Sequence, residues 1–529
     1  MKSKLWIFTL LVSAAIIGGC SASGSDSDGN AMDNSKMTEE EMADMEGMDH
    51  SNMTEEEMAD MEGMDHSNMT EEDMANMEGM DMENGDVSHT NQLALNNSTG
   101  ENKLALPPLV EPKDGIVDIT AQQGTTEIFK GVQTETLGYN GSFLGPVIRI
   151  NKGEKVTFRT GNEMSEPTTF HWHGVEIPGE GDGGPHQVIQ PGKAKDVEFT
   201  VNQGAATLWF HPHPVGATAE QVYKGLAGFI YVEDENSKKL RLPDEYGVND
   251  FPVVFQDRQF TEEKQFDYQA VLNEDGTIGD TLLINGTLNP KLTVGKEKVR
   301  LRLLNGSNAR NYTFKLNTGD SFQQIATDGG LVNEPNEMNE ITLTPGERAE
   351  IIVDFSKYNA EGDIALVNEE DTILLPFKIE GQKTNSIEIP ETLNDYVVTE
   401  EEKNLPVTKK LELFGMGKMV YINGKQFDMN RIDFTQKQGE TEIWEIYNKP
   451  DKMGGMTHPF HIHGTQFKIV SIDGKEPPIS QQGWKDSIGV EAGQTVKLAV
   501  KFNNKGVYMF HCHILEHEEN GMMGQVEVI

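Results

Sequence analysis

The chain has 529 residues, too many for one hydrophobic core, so about three domains of ordinary size are expected. Its formal net charge of −42 argues against a nucleic-acid partner and predicts a solvated surface that attracts cations. Only two cysteines are present, Cys20 and Cys512, so there is no disulfide framework and each thiol needs its own explanation.

The first 19 residues are organised like a secretory signal peptide. Lys2 and Lys4 precede an apolar run, 5–17, that is too short for a comfortable membrane span. Small residues then lead directly to Cys20, a pattern that resembles a bacterial lipoprotein signal and implies cleavage before Cys20 and acylation of its sulfur. An ordinary cleaved signal is the alternative. We therefore expect an extracytoplasmic protein, either lipid-anchored to the bacterial membrane through Cys20 or, in the alternative, secreted or periplasmic and soluble.

Residues 20–103 are predicted to be a tether, and residues 37–84 within it contain three copies of an acidic, Met-rich repeat of 16 residues. The repeat has almost no Leu, Ile, Val or aromatic residues, so it cannot form a core and is predicted to be a disordered tail. Fifteen of the 25 methionines lie before residue 83. Because thioethers select Cu(I) while His and carboxylates suit Cu(II), this composition favours copper capture. An acidic spacer is the alternative.

From Leu104 onward the composition is globular, with short β-branched runs between Asn, Gly and Lys turns. This pattern predicts an all-β protein built from antiparallel sandwiches, with domains at 104–236, 251–382 and 409–529. The first contains two His-x-His pairs, each at the end of a strand-like run. The second has no histidine and is predicted to be structural. The third contains three histidines within residues 458–463 and three more within 511–517.

The segment from His511 to His517 contains four potential metal ligands within seven residues. Successive side chains of a strand point to opposite faces, so His511 and His513 face one way and Cys512 the other. One short segment can then serve two metal centres. Cys512 with His517 and a weak thioether ligand, Met522, is the donor set of a blue-copper electron-transfer site. A buried core cysteine beside hydrogen-bonded histidines is the alternative.

Ten of the 14 histidines fall in four clusters, two in the first predicted domain and two in the third. The simplest arrangement packs these two domains face to face. Nine histidines, all except His517, could then reach the contact, which suits one mononuclear site and one multinuclear site.

The four clusters, in this order and spacing, resemble the multicopper oxidases over residues 104–529. Supporting runs are Phe170-His171-Trp172-His173-Gly174, Gly181-Asp182-Gly183-Gly184-Pro185, residues 302–310, Gly483-Trp484-Lys485-Asp486 and residues 516–523. The resemblance implies three cupredoxin-like Greek-key sandwiches, a monomeric catalytic unit and four copper ions: one type 1, one type 2 and two type 3. It also implies that dioxygen is reduced to water. The bacterial copper-efflux oxidases are the most similar group, which implies Cu(I) oxidation and a role in copper homeostasis.

The resemblance also implies the ligand of each copper ion. For type 1 copper it gives His458, Cys512, His517 and, as the axial ligand, Met522. For type 2 copper it gives His171 and His461. For the two type 3 coppers it gives His173, His211 and His513, and His213, His463 and His511. Asp182 and Glu518 match acidic residues that assist proton delivery to oxygen, with solvated surface carboxylates as the alternative.

The sequence departs from the copper-efflux pattern at the substrate site. The family's Met-rich insert near type 1 copper is missing between Leu411 and His458, and Gly454 stands where the family has an Asp. Met456 keeps its place, and nearby candidates for substrate Cu(I) are Met453, Asp451, Met416 and Met419. Two alternatives share part of the pattern: a laccase acting on phenols, and a non-enzymatic copper-sequestering lipoprotein.

Overall fold

The structure is a computed structural model that describes residues 94–268, 276–359, 362–382, 387–452 and 454–529. The predicted signal peptide, Cys20, the Met-rich repeat and Met453 lie outside the described residues. Within the described part, 31 strands form six sheets joined by a few short helices, which confirms the all-β prediction. Among these same residues, no helix is long and apolar enough to cross a membrane.

The first sandwich forms because its strands alternate between buried apolar and exposed polar residues, as in Lys155–Asn162. Its strands are β2 (Leu109–Val110), β3 (Ile116–Thr126), β4 (Thr134–Tyr139), β5 (Val147–Asn151), β6 (Lys155–Asn162), β7 (Ala194–Thr200), β8 (Ala206–Phe210) and β9 (Gly228–Glu233). One sheet has the order β2-β5-β9-β8 and the other β4-β3-β6-β7. A 3₁₀ turn (Gly179–Gly181), helix α1 (Thr218–Tyr223) and helix α2 (Glu235–Leu240) lie in its connections.

The second sandwich has two larger sheets around an apolar core. Its strands are β1 (Asn102–Lys103), β10 (Asp250–Arg258), β11 (Thr281–Ile284), β12 (Thr287–Leu288), β13 (Pro290–Gly295), β14 (Lys298–Asn305), β15 (Tyr312–Leu316), β16 (Phe322–Thr327), β17 (Gly330–Met338), β18 (Glu340–Leu343), β19 (Arg348–Asp354), β20 (Ile364–Val367) and β21 (Ile373–Glu380). The sheet orders are β1-β13-β21-β20-β15-β18 and β12-β11-β10-β14-β19-β16-β17. A 3₁₀ turn (Phe355–Lys357) follows β19.

The third sandwich carries the terminal segment in the middle of a sheet. Its strands are β22 (Val407–Met416), β23 (Met419–Ile422), β24 (Phe434–Gln436), β25 (Glu442–Asn448), β26 (His458–Ile462), β27 (Phe467–Ile472), β28 (Ser487–Val490), β29 (Thr495–Val500), β30 (Gly506–Cys512) and β31 (Met523–Val528). The sheet orders are β23-β22-β25-β29-β27 and β24-β31-β30-β26-β28. Helix α3 (Glu400–Asn404) precedes the sandwich, and a 3₁₀ turn (Ile479–Gln481) and helix α4 (Leu515–Glu519) lie within it.

The sequence predicts antiparallel sandwiches, but the sheets are mixed. In the first sandwich β3 pairs parallel with β6 and β5 parallel with β9, and in the third β22 pairs parallel with β25. A chain that crosses from one sheet to the other between these strands returns in the same direction, which makes the pair parallel. The strand-like run 168–170 is also not a regular strand, since only isolated bridges form there.

The predicted tether ends earlier than residue 103. Leu95 and Leu104 are buried in the core of the second sandwich, and β1 pairs with β13. The Ser98 amide also donates to the Ile373 carbonyl at 2.8 Å. Residues 94–104 are therefore an edge element of the second sandwich. The sequence predicts a linker here because the stretch is rich in Asn and Ser, and its two anchoring leucines form no periodic pattern.

Candidate metal centre

The first and third sandwiches each hold two histidines side by side in a cross-strand pair. His171 and His211 form an antiparallel bridge in which each backbone amide donates to the other's carbonyl, at 2.8 and 3.1 Å. His461 lies opposite His511 in the pairing of β26 with β30. Directly opposed residues share one face of a sheet, so each sandwich presents a pair of imidazoles.

The two sandwiches interleave these imidazoles. The His171 ring stacks on that of His463 with centroids 3.6 Å apart, and the His173 ring stacks on that of His461 at 3.7 Å. Eight fully buried histidines form this cluster: His171, His173, His211, His213, His461, His463, His511 and His513. The predicted face-to-face packing of the first and third domains is therefore present.

The ring nitrogens at the centre of the cluster are oriented for a cation. His171 Nδ1 donates to the Asp182 carbonyl at 3.1 Å, and His461 Nδ1 donates to the Asp486 carbonyl at 2.8 Å. Each ring therefore leaves Nε2 without a proton, and the two Nε2 atoms face each other at 3.4 Å. Two lone pairs at this distance repel unless a cation binds both. These two residues are the predicted type 2 pair.

A second set has the same arrangement. His511 Nε2 lies 3.3 Å from His213 Nε2 and 3.1 Å from His463 Nε2. His511 Nδ1 donates to the Cys512 carbonyl at 3.0 Å, while His463 Nδ1 donates to Asp182 Oδ2 at 2.7 Å. The donor atoms of these three histidines lie within 4.8 Å of one another. They are one of the predicted type 3 sets.

The three histidines of the other predicted type 3 set all lie beside one tryptophan ring. The Trp209 ring lies 4.2 Å from the His211 ring, 5.1 Å from His173 and 5.7 Å from His513. The donor atoms of His211, His173 and His171 also lie within 4.8 Å of one another. Among the described residues, His513 is in no such group of three donors. Its ring instead contacts those of its two predicted partners.

Burial sets the protonation state of the cluster. Loss of hydration lowers the pKa of all eight histidines, to about 4 for His511, and neighbouring imidazoles lower most of them further. Neutral imidazole is the form that binds metal ions.

Cys512 points away from this cluster into the core of the third sandwich. There it packs with Met522 and Met456, and its Sγ lies 3.7 Å from His517 Nδ1. The His458 and His517 rings are 5.4 Å apart. Among the described residues, His458, Cys512 and His517 do not form a group within 4.8 Å, unlike the two sets of three histidines described above.

The expectation that nine histidines reach the interface is wrong, because eight do. His458 begins β26 three residues before His461, and an odd spacing along a strand places two side chains on opposite faces. His458 therefore lies on the Cys512 side, as the family resemblance implies.

Asp182 and Glu518 are buried, each about 2 % exposed, and are not solvated surface carboxylates. Asp182 accepts from His463, while Glu518 lies 3.3 Å from His213 Nε2 and 3.4 Å from His511 Nδ1. Burial raises the pKa of both carboxyl groups well above the ordinary value. Both can therefore hold a proton beside the histidine cluster.

The candidate substrate residues surround the Cys512 site at different depths. Met456 is 9 % exposed, Met416 is partly buried against the same core, and Met419 is 71 % exposed. Asp451 is partly buried, and its carboxylate raises the pKa of His458, although burial lowers that pKa to about 4 overall.

Three residues near the metal centre have roles that the sequence does not reveal. Asn448 donates to the Met456 carbonyl at 2.7 Å, and its Oδ1 lies 3.1 Å from His458 Nδ1. Asp486 and Arg348 form a buried pair beside His173. Asp486 lies in one of the runs that carry the family resemblance, but nothing in that run indicates its partner in another domain.

This donor set fits a protein with several copper ions, and comparisons with known proteins identify its family. Three multicopper oxidase family models match residues 120–237, 250–379 and 400–529, so the chain belongs to the multicopper oxidases. It is 51 % identical over 445 residues to "Multicopper oxidase mco" of Staphylococcus epidermidis, covering 83 % of this chain and 95 % of that protein.

Solved structures show the same likeness. A multi-copper oxidase from Pediococcus acidilactici is 43 % identical, with a TM-score of 0.80, and the match covers 84 % of this chain and 95 % of that one. The bacterial laccase-like multi-copper oxidase CueO from Ochrobactrum sp. is 36 % identical, with a TM-score of 0.74, and covers 80 % of this chain and 100 % of that one. The Ochrobactrum protein is described as having oxidase activity towards lignin model compounds and lignosulfonate.

Membership implies four copper ions, one type 1, one type 2 and two type 3, in an oxidoreductase that uses dioxygen. The residues present fit these ions. Five of the eight clustered histidines donate through Nδ1 and leave Nε2 as a bare donor atom. One thiol lies beside a histidine in a separate apolar site with a buried thioether, which is the donor chemistry of type 1 copper.

Proposed function

We propose that this protein couples four one-electron oxidations at the Cys512 site to reduction of dioxygen to water at the eight-histidine cluster. The observation that carries the proposal is the arrangement of adjacent residues: Cys512 Sγ lies 3.7 Å from His517 Nδ1, while His511 Nε2 lies 3.1 Å from His463 Nε2. One peptide bond thus joins the two centres. The copper ions, when bound, supply the one-electron transfers between substrate and dioxygen.

Reduction of dioxygen to two waters takes up four electrons and four protons. Asp182 and Glu518 are placed to deliver protons, because both contact histidines of the cluster and their raised pKa keeps a proton available. Asp182 Oδ2 accepts from His463, and its other oxygen has no hydrogen-bond partner among the described residues.

Cu(I) is the proposed reductant, and the surroundings of His458 support it. Met416 and Met419 are directly opposed in the hairpin of β22 and β23, so both thioethers lie on one face of it. Met416 packs against the core that contains Cys512, and the Gly415 carbonyl beside it contacts His458. Thioethers thus extend from the surface at Met419 to the buried Met456, and soft donors of this kind select Cu(I).

Steady-state oxidation of Cu(I), Fe(II) and a phenol by one copper-loaded preparation tests the substrate. Met416→Leu should raise the apparent KM for Cu(I) and leave phenol oxidation unchanged, because leucine keeps the packing and removes the thioether. Met338→Leu is the matched control, since Met338 is also partly buried but packs on the second sandwich. Equal kinetics for Cu(I) in both variants would contradict the Cu(I) site.

A laccase acting on phenols is the second candidate. The likeness to the laccase-like Ochrobactrum oxidase supports it. A shallow cavity of about 580 Å³ is lined by Phe414, Pro450, Asp451 and Lys452, and the Asp451 carboxylate influences the pKa of His458. The same kinetics decide between the two, because a laccase would oxidise the phenol efficiently and would not respond to Met416→Leu.

We further propose a monomeric catalytic unit that is lipid-anchored outside the cytoplasm and contributes to copper tolerance. The N-terminal pattern that ends in Cys20 supports the anchor. Full-length protein should partition into detergent and carry a fatty acyl group, and Cys20→Ala should abolish both properties. A soluble, unacylated wild-type protein would favour the secreted alternative.

A further inference from the structure

The second sandwich, which has no histidine, nevertheless contacts the histidine cluster. At the start of β19, Arg348 is fully buried and reaches Asp486 of the third sandwich with Nη1–Oδ1 and Nη2–Oδ2 distances that are both 2.6 Å. Two parallel, charge-assisted hydrogen bonds of this kind are the strongest pairing available to a carboxylate in a protein.

The guanidinium has no unused donor. Besides the two bonds to Asp486, Nε donates to the Thr207 carbonyl at 3.1 Å, Nη1 to the Gly346 carbonyl and Nη2 to the Asp328 carbonyl, both at 3.0 Å. All five N–H groups of arginine are therefore used, in the planar fork that only arginine provides. Asp486 is consequently held in one orientation from the second sandwich.

Asp486 in turn contacts the first sandwich through a histidine. Its Oδ1 lies 2.9 Å from His173 Nε2, and its Oδ2 accepts from Gln466 Nε2 at 2.9 Å. The carboxylate in this pair is an acceptor only, so His173 Nε2 must carry a proton and donate it. His173 Nδ1, which has no hydrogen-bond partner among the described residues, is then the bare nitrogen.

This orientation is the reverse of that in most of the cluster. His171, His211 and His461 donate through Nδ1 and leave Nε2 bare. We propose that Arg348 and Asp486 are positioning residues that fix His173 as the tautomer with a protonated Nε2, so that Nδ1 binds type 3 copper. The proposal rests on the ligand role given to His173 above. A carboxylate that orients a histidine ligand in this way commonly contributes a factor of 10–100 to metal affinity.

The backbone packs closely around this network. A Cβ at Gly174 would lie 2.5 Å from Asp486 Oδ2 and 2.9 Å from Arg348 Nη2, and this glycine has a φ of +86°. A Cβ at Gly346 would approach the His513 ring at 3.0 Å. The second sandwich therefore packs against His513 through Gly346. It reaches His173, a ligand of the same predicted type 3 copper, through the Arg348–Asp486 pair.

The chain contains a matched control. Arg302 and Asp250 form another buried bidentate pair, with Nε–Oδ1 at 2.7 Å and Nη2–Oδ2 at 2.8 Å. Among the described residues, neither member of this pair has a contact with a histidine. Asp250→Asn thus removes the same chemistry and leaves the copper ligands alone.

The test uses copper-loaded, full-length protein dialysed against increasing EDTA. Asp486→Asn should release the trinuclear coppers at EDTA concentrations 10–100-fold lower than wild type, while the blue colour of the Cys512 site persists. Arg348→Lys, which keeps the charge but loses the fork, should give a smaller loss and remains informative if Asp486→Asn does not fold. Copper per chain and the type 2 signal in electron paramagnetic resonance are the readouts.

Wild-type copper retention in both variants would overturn the positioning role, and so would equal copper loss in Asp250→Asn. If wild-type protein itself held no copper in the histidine cluster, the proposed function would fail and the positioning role with it. Retention in wild type with insensitive variants would contradict the positioning role alone.

Discussion

Replacing Cys512 by serine should abolish the type 1 copper site and leave the protein folded. The serine removes the thiolate that a blue-copper site requires, and with it the electron route to the cluster. The backbone bonds at this position do not depend on the side chain: the Cys512 amide donates to the Met522 carbonyl at 3.0 Å, and the residue pairs with Phe460 in the sheet. The variant should therefore fold.

The size of the stability change follows from the surroundings of the sulfur. Cys512 is fully buried in an apolar core, so the new hydroxyl loses its hydration, and a buried hydroxyl without a good partner costs about 1–3 kcal/mol. This range lies at the lower end of the loss caused by removing a large core side chain, about 2–5 kcal/mol. Urea unfolding of the copper-free proteins should reveal a modest, cooperative shift.

Ala499→Ser is the control, because it buries a hydroxyl in the same sandwich on a strand that supplies no predicted ligand. Both variants should be destabilised to a similar extent. Only Cys512→Ser should lose the blue absorption, fall from four to three copper ions per chain and stop oxidising Cu(I) and phenols. Oxidase activity in Cys512→Ser would refute the electron route. Loss of activity in Ala499→Ser would show that a buried hydroxyl in this core is enough to abolish oxidase activity.

Other perturbations test the remaining parts. His461→Ala should let substrate bleach the blue colour, but the colour should fail to return in air; recovery at the wild-type rate would contradict the ligand assignment. Asp182→Asn should keep a hydrogen bond from His463 but slow reoxidation of the reduced protein by about 100-fold or more, as measured by stopped-flow mixing with dioxygen. An unchanged rate would remove Asp182 from proton delivery. Burial raises the pKa of Asp328 from the usual 3.8 to about 6, so the unfolded chain ionises first as pH rises. The stability of wild type relative to Asp328→Asn should therefore fall by about 2 kcal/mol between pH 4 and pH 6 in urea titrations, and a constant difference would contradict the raised pKa. Deleting residues 31–86 should raise the apparent KM for Cu(I) and spare phenol oxidation, because copper held by thioethers on the same chain would be supplied at about millimolar effective concentration. Unchanged kinetics for both substrates would make the repeat a spacer.

The sequence predicts the histidine cluster well because its signal is local. Each His-x-His pair places two rings on one side of a short segment, and the alternation around Cys512 separates the two centres within three residues. Face-to-face packing of the first and third sandwiches is then predicted, because it is the simplest arrangement that brings the histidine pairs together.

The contribution of the second sandwich could not be predicted in the same way. Arg348 and Asp486 are 138 residues apart in the chain, and their pairing depends on how three domains dock. Charged residues in strands usually lie at the surface. The docking of residues 94–104 escapes prediction for a similar reason, because two leucines in a polar stretch give no periodic signal.

The wide sequence separation within the cluster has a consequence for how the enzyme is assembled. His171 and His461 are 290 residues apart, and His213 and His511 are 298 apart. Closing such long loops is entropically unfavourable until the domains between them have folded, so these contacts form late. Cys512 and His513 also lie C-terminal to every strand of the first sandwich. The first sandwich can therefore fold before the histidine cluster is complete, and we expect a copper ion to find its full set of ligands only after the first and third sandwiches have docked.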